Sequence, residues 1–338
     1  MRIAILTPTF SGFSGPDRVV MNEVEDYFAK GHQVNVFTFY SDIKTNNAKV
    51  VNIGAPKNPT LERIYRLFFF LDFVKINKIV KELRDFDEVV SFLYPMTIIA
   101  SKARKKYNMK YTYYDMGIAP PGLFGSLWEK LFLKLFLFFT KLTVANADEA
   151  ISISNYLKAQ LRKDTGLNSR VKYVRIDEKR FNRNISRAKA LDIRKKYGIS
   201  GPMVLYVGRI SPHKGIHLLI KAFNVVSQKF PDAKLVIVGK HTFRDYSRML
   251  RKIANNNIVF TGYVPDGELP HYYAACDVYA TASLWEGFDM PAAEAQACGK
   301  PVVAFDAGSH REVISNRKLL KPGDIKGFAE AIKKIIRK

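Results

Sequence analysis

The chain has 338 residues, 47% of them hydrophobic, and a formal charge of +23. That length leaves room for two domains of ordinary size with real cores. No run of eighteen uncharged apolar residues occurs, which excludes a transmembrane helix, and the two cysteines, Cys276 and Cys298, form neither a CxxC nor a ligand cluster. Both read as small buried apolar residues of a protein from a reducing compartment.

In chain order, Met1–Pro8 (MRIAILTP) reads as a buried strand followed at once by a loop, and not as a signal peptide, with Arg2 its only charge. The loop, Gly12 and then Ser14-Gly15-Pro16-Asp17-Arg18-Val19-Val20, is a βα turn whose Gly15 permits a backbone approach to a ligand. The helix Arg18–Lys30 stops at Gly31. Further strands are expected at Gln33–Thr38, Glu88–Phe92, Met109–Tyr113 and Glu149–Ile153. Two aromatic stretches lie between them. Ile64–Ile76 reads IYRLFFFLDFVKI, and Leu123–Val144 is broken by Glu129, Lys130, Lys134 and Lys141. The second is read first as a core helix of the N-terminal half. The alternative is an amphipathic helix lying in a bilayer interface.

Residues 171–200 carry ten Lys/Arg against three Asp/Glu, the densest basic stretch of the chain. Such an excess suits a solvated surface or an anionic partner such as a phosphorylated lipid or membrane. Beyond it the strand–helix alternation resumes, with strands at Met203–Val207, Lys234–Val238, Ile258–Thr261, Asp277–Thr281 and Pro301–Phe305. Alternating apolar strands and helices predict parallel sheets covered on both faces, twice over. The fold class is therefore α/β, with two Rossmann-like domains, 1–175 and 176–338, facing a central cleft.

Two segments of the second half carry chemistry. Val204–Lys214 (VLYVGRISPHK) is a strand ending at Gly208, followed by Arg209 and Lys214 and then a helix with apolar residues at Ile216, Leu219, Ile220 and Phe223. Strand, glycine loop and helix make an α/β phosphate site, with Arg209 able to fork two donors and Lys214 to add a point charge. His213 between them could also reach a phosphate. Leu284–Val303 (LWEGFDMPAAEAQACGKPVV) places Glu286 before a helix expected at Met290–Ala297 and Glu294 one turn into it, with Pro291 suited to the first turn. A helix N-terminus accepts anionic or oxygen-rich groups. The alternative is a loop–helix join with two solvated glutamates. The six histidines show no metal-ligand spacing, and no DxD-type pair is present, so no metal is expected.

These segments resemble the retaining glycosyltransferases of family 4, the glycosyl transferases group 1. The shared patterns are G-R-x(4)-K-G at Gly208–Gly215, E-G-F-x-x-P-x-x-E-A at Glu286–Ala295, A-C-G-x-P-V at Ala297–Val302, Val259-Phe260-Thr261-Gly262-Tyr263-Val264, and Gly308–Ile314. The resemblance is dense over 200–330 and thinner before that. It implies the GT-B fold, with the first domain binding the acceptor and the second a nucleotide-diphosphate sugar. That sugar nucleotide is a co-substrate, and no cofactor is implied. By resemblance, Arg209 and Lys214 are catalytic, binding the diphosphate beside Gly208 and stabilising it as it leaves. Glu294 binds the ribose, and Glu286 binds or orients the transferred sugar, either as the nucleophile or beside a front-face attack in which the departing phosphate is the base. The backbone of Gly287, Phe288, Asp289 and Met290 cradles sugar and phosphate, Asp289 tunes sugar choice, and Tyr263 and Val264 meet the base.

On the acceptor side Gly15 and Arg18 match the family loop, while Pro16 replaces a glycine. The family histidine is missing from Tyr111–Asp115, leaving Tyr114 or Asp115 in its place, and the usual N-G-I-D reads Val174-Arg175-Ile176-Asp177. The expected acceptor is a saccharide, a lipid-linked saccharide or a membrane lipid, and the expected location cytoplasmic, with peripheral contact on the inner face of an anionic membrane. The alternative is a sugar-nucleotide epimerase, hydrolase or soluble-acceptor synthase on the same fold. A nucleic-acid partner is not expected, because the cations are spread over both halves rather than gathered in one stripe.

Overall fold

The computed structural model describes residues 1–12, 15–315 and 319–337; Ser14 of the glycine loop lies outside them. Contacts divide the chain into two units, Met1–Gly122 with Ser126–Arg175, and Ile176–Lys338 with Leu123–Gly125.

The first unit runs β1 (Arg2–Leu6), β2 (Thr9–Phe10), α1 (Gly15–Ala29), β3 (Gln33–Thr38), β4 (Tyr40–Ser41), β5 (Lys49–Asn52), α2 (Pro59–Leu67), α3 (Phe73–Glu82), β6 (Glu88–Ser91), α4 (Met96–Tyr107), β7 (Lys110–Asp115), α5 (Leu127–Val144), β8 (Glu149–Ser152), α6 (Asn155–Thr165) and β9 (Arg170–Val171). Seven strands form a sheet in the order β5-β3-β1-β6-β7-β8-β9, parallel throughout. Ile3, Ala4, Ile5 and Leu6 are fully buried, as an unbroken apolar run in a doubly covered strand must be. The chain runs outward to opposite sides from β1, to β3 on one flank and β6 on the other. That reversal opens a crevice at the strands' carboxyl ends. There Asp17 accepts from Thr9 Oγ1 at 2.9 Å and from Ser11 N and Oγ at 3.2 and 2.6 Å, tying the loop to the first turn of α1.

The second unit continues with α7 (Arg187–Lys196), β10 (Met203–Val207), α8 (Ile216–Lys229), β11 (Lys234–Val238), α9 (Arg244–Ile253), β12 (Ile258–Gly262), α10 (Leu269–Ala275), β13 (Val278–Thr281), α11 (Met290–Ala297), β14 (Val302–Ala304), α12 (His310–Val313) and α13 (Ile325–Ile336). Its five-stranded sheet, β12-β11-β10-β13-β14, is again parallel, and its switch point lies between β10 and β13. Ile216, Leu219, Ile220 and Phe223 of α8 are fully buried on that sheet. Burying each such side chain favours folding by about 1.5–3 kcal/mol.

Strands β3, β10 and β11 and helix α11 have the predicted bounds. Helix α1 starts at Gly15, earlier than expected, because Pro16 falls in a first turn that needs no N–H. One expectation is overturned. Helix α5 is not a core helix, since only its Thr140 and Val144 are buried. No helix among the described residues is long and apolar enough to cross a membrane.

Candidate active site

The switch point of the second sheet brings the two chemistry-bearing segments together. After β10 the chain passes Gly208 and the exposed Arg209, makes a single 3-10 turn over Pro212–Lys214, and enters α8 through Gly215. After β13 it passes Ser283 and Glu286 before α11. The half-buried Lys214 Nζ donates to both oxygens of Glu286, at 2.6 and 2.7 Å, and Ser283 Oγ donates to Oε1 at 2.7 Å.

This packing requires glycine at two places. Gly215 has φ +61°, and a Cβ there would lie 1.9 Å from Ala282 O; Gly308 has φ +59°, and a Cβ there would lie 2.1 Å from Glu286 O. Two backbone bonds close the clamp on the intervening loop, Leu284 N to His213 O at 2.8 Å and Ser309 N to Glu286 O at 3.1 Å.

Both glutamates are buried, which overturns the reading of solvated carboxylates. Glu286 lies against the ammonium of Lys214; a buried carboxylate needs such a partner. Glu294, on the second turn of α11, accepts from Tyr273 Oη at 2.7 Å. Asp289 sits in the left-handed region at φ +63° and caps α11 through Oδ1, which accepts from Ala292 N at 3.2 Å.

The residue that sequence reasoning missed is His310. It is fully buried, its Nδ1 lies 2.6 Å from Phe305 O, and its Nε2 lies 2.8 Å from Asp289 Oδ2. A carbonyl and a carboxylate both accept, so both ring nitrogens carry protons and the pair is imidazolium with carboxylate. Burial lowers the histidine's pKa, but the bond to Asp289 outweighs it and the net shift is upward. For Asp289 burial pushes upward, and the His310 bond, helped by Lys214, brings it below the usual carboxylate range. Nothing in the spacing of Asp289 and His310 announces the contact; the usable signal is a histidine beside the Gly308 turn.

His213, expected as a possible phosphate contact, is buried beside Phe124 and Trp285, with Nδ1 3.2 Å from Ser211 Oγ. Burial, then the neighbouring Lys214 and Arg209, bring its pKa down to about 2, so it is a neutral ring. Tyr263 is exposed and Val264 buried at the end of β12. Ligand atoms of Glu286, Asp289 and His310 lie within 4.8 Å of one another, close enough for a metal ion. Each of the three is already engaged, however, by Lys214 or by its partner in the histidine–aspartate pair.

In the first unit Gly15 and Arg18 occupy the first turn of α1. Tyr114 is buried, stacks on Phe92 at 4.8 Å and donates to Glu23 at 3.2 Å. Asp115 instead borders a cavity of about 310 Å³ between α5 and α6. Burial raises its pKa to about 6, against bonds from Gly117 N, Ser152 Oγ and Tyr113 Oη. Both cysteines are buried, as read.

Comparison with known proteins matches the family model Glycosyltransferase Family 4 over residues 13–175 and Glycosyl transferases group 1 over 189–338. The chain is 33% identical over 155 residues to mannosylfructose-phosphate synthase of Agrobacterium fabrum, covering 43% of this chain and 34% of that protein. It is 30% identical over 189 residues to the GDP-mannose-dependent alpha-(1-6)-phosphatidylinositol monomannoside mannosyltransferase of Mycolicibacterium smegmatis, covering 51% and 48%. The chain thus spans about a third of the length of the first relative and about half of the second. Among solved structures, Anabaena HepE in complex with UDP and glucose aligns with TM-score 0.81 and 21% identity over 98% of this chain and 89% of that one, a likeness of fold.

Proposed function

This chain belongs to glycosyltransferase family 4, with the GT-B fold, and on that premise we propose that it moves a sugar from a nucleotide-diphosphate sugar to an acceptor, with retention of configuration and without a metal ion. The observation that carries the proposal is the Lys214–Glu286 pair at the β10/β13 switch point, with Arg209 exposed beside it.

The bond that breaks joins the anomeric carbon to a phosphate oxygen. The bond that forms joins that carbon to an acceptor oxygen, whose proton passes to the departing diphosphate. Negative charge grows on the diphosphate, and Arg209 and Lys214 are the fixed cations that stabilise it. Glu286 orients the transferred sugar, and Glu294, positioned by Tyr273, takes the ribose hydroxyls. The backbone from Gly287 to Met290 supports sugar and phosphate, Gly208 lets the phosphates approach, and Tyr263 and Val264 face the base. Asp289 acts on sugar choice through the loop shape it fixes, because its carboxylate is engaged by Ala292 N and His310.

The first unit takes the acceptor, with Gly15, Arg18 and either Tyr114 or Asp115 on that side. The acceptor we favour is a lipid-linked saccharide or membrane lipid, reached from the cytoplasmic side by peripheral contact. The mannosyltransferase relative, named for a phosphatidylinositol monomannoside, and the +23 charge support this choice. A soluble phosphosugar acceptor is the second reading, favoured by the likeness to mannosylfructose-phosphate synthase.

Incubation with each nucleotide sugar and either a lipid extract or sugar phosphates separates the two. The expected result is an acceptor-dependent lipid-soluble product, whose anomeric configuration by NMR matches the donor's and whose yield survives EDTA. An inverted product, or full loss of activity in EDTA, contradicts the proposed chemistry.

A further inference from the structure

Helix α5 holds eleven leucine, phenylalanine and tryptophan residues, and none of them is buried. Leu127 and Trp128 are each 80% exposed, and Leu131, Phe138 and Leu142 continue the exposed side at helical spacing. A second exposed stripe, Leu61, Ile64, Phe68 and Leu71, follows the same spacing along α2 and the turn after it. The two stripes come from segments some sixty residues apart and are held side by side. Arg63 forks onto both oxygens of Glu129 and lies 4.3 Å over the Phe132 ring, and the rings of Phe70 and Phe139 are 4.9 Å apart. A face this apolar marks an interaction surface.

Its charge selects the partner. Residues 57–75 and 126–144 contain seven Lys/Arg and three carboxylates. The three carboxylates are engaged, Glu129 by Arg63, Glu62 by Arg66, and Asp72 by Tyr65 and Lys75. Lys134 and Lys141 are exposed within the α5 stripe itself. A second copy docked here would oppose lysines to lysines, whereas long lysine stems can rest on apolar surface and hold their ammonium groups at phosphate level. The face also borders the cavity beside Phe138, Lys134 and Lys141, whose lining is mixed, with Leu137, Leu157 and Leu161 next to Asp115 and Asp164.

We propose that this face docks on an anionic lipid bilayer, with α5 lying in the headgroup layer and Trp128 entering it. The proposal rests on the lipid-acceptor reading above and names the surface that would deliver the enzyme to its acceptor.

Trp128 is a built-in reporter, since the chain has two tryptophans and Trp285 is buried. In a Trp285→Phe background, phosphatidylcholine vesicles containing phosphatidylglycerol should shift Trp128 emission to the blue and shield it from acrylamide, and pure phosphatidylcholine should do so weakly. Lys134→Gln and Lys141→Gln should each weaken vesicle binding by on the order of five-fold, an effect that fades with salt. Leu131→Ser with Phe138→Ser should abolish it while far-UV circular dichroism is unchanged. No emission shift and no cosedimentation with anionic vesicles at low salt overturns the proposal. So does concentration-dependent self-association that the same serine substitutions remove. Nucleotide binding, measured in parallel, separates the cases: if it persists without vesicle binding, the docking face alone is wrong, and if vesicle binding persists without it, the transferase reading is wrong.

Discussion

At the residue scale, the site is built on two charge pairs with buried carboxylates, Lys214–Glu286 and His310–Asp289. Each replaces water around a carboxylate with fixed donors, so removing one partner should be costly. His310→Gln is expected to destabilise the protein by roughly 3–5 kcal/mol at mildly acidic pH. The pH dependence has a definite sign. His310 has a raised pKa, so its contribution is fully present below the ordinary histidine value and is lost as pH rises through its folded-state value. Asp289 has a depressed pKa, so its contribution is present above the ordinary aspartate value and is lost as pH falls through its folded-state value. The gap between wild type and His310→Gln in urea unfolding should therefore narrow toward alkaline pH. A gap constant across that range contradicts the charged pair. Legibility at this scale was uneven. Arg209, Lys214, Glu286 and Glu294 could be picked out because each lies within one short segment of distinctive spacing. His310 could not, because its partnership depends on the β14–α12 turn folding back onto the start of α11.

At the element scale, the loop that carries Glu286 is fixed by what lies against its backbone. Gly308→Ala should cost about 1–3 kcal/mol in unfolding free energy and weaken nucleotide binding, since the new methyl meets Glu286 O. Gly323→Ala is the control. Its φ of +88° imposes the same kind of backbone strain, but the space around it is open, so it should leave nucleotide affinity unchanged. Equal affinities for both variants by isothermal calorimetry would show that the close approach does not position the site. The main strands were readable because each is a buried apolar run between turn signals, as β3, β10 and β11 show. The two-residue strands β2, β4 and β9 and the half-exposed β5 lack such a run and were missed. Helix α5 was misread for a different reason: a helix apolar on most sides looks like core, and only its neighbours reveal that one side of it is left uncovered.

At the scale of the whole molecule, the chain forms two separately cored units, and the +23 charge belongs to both. Because the units have their own cores, calorimetric unfolding need not be two-state. A nucleotide should raise the transition of the second unit, the one that holds Arg209, Lys214, Glu286 and Glu294. The most direct measurement of the central claim is the thermal shift produced by UDP, GDP, ADP and their sugar conjugates on wild type and Lys214→Ala. The substitution lowers the melting temperature by itself, since it leaves Glu286 without its cation, so the quantity that matters is the ligand-induced change within each protein. At about a hundred times its dissociation constant a ligand adds roughly 2.7 kcal/mol. The account predicts a shift of that size for one nucleotide on wild type and a sharply reduced one on Lys214→Ala. No shift with any nucleotide, or an equal shift in both proteins, would contradict a diphosphate held at Lys214.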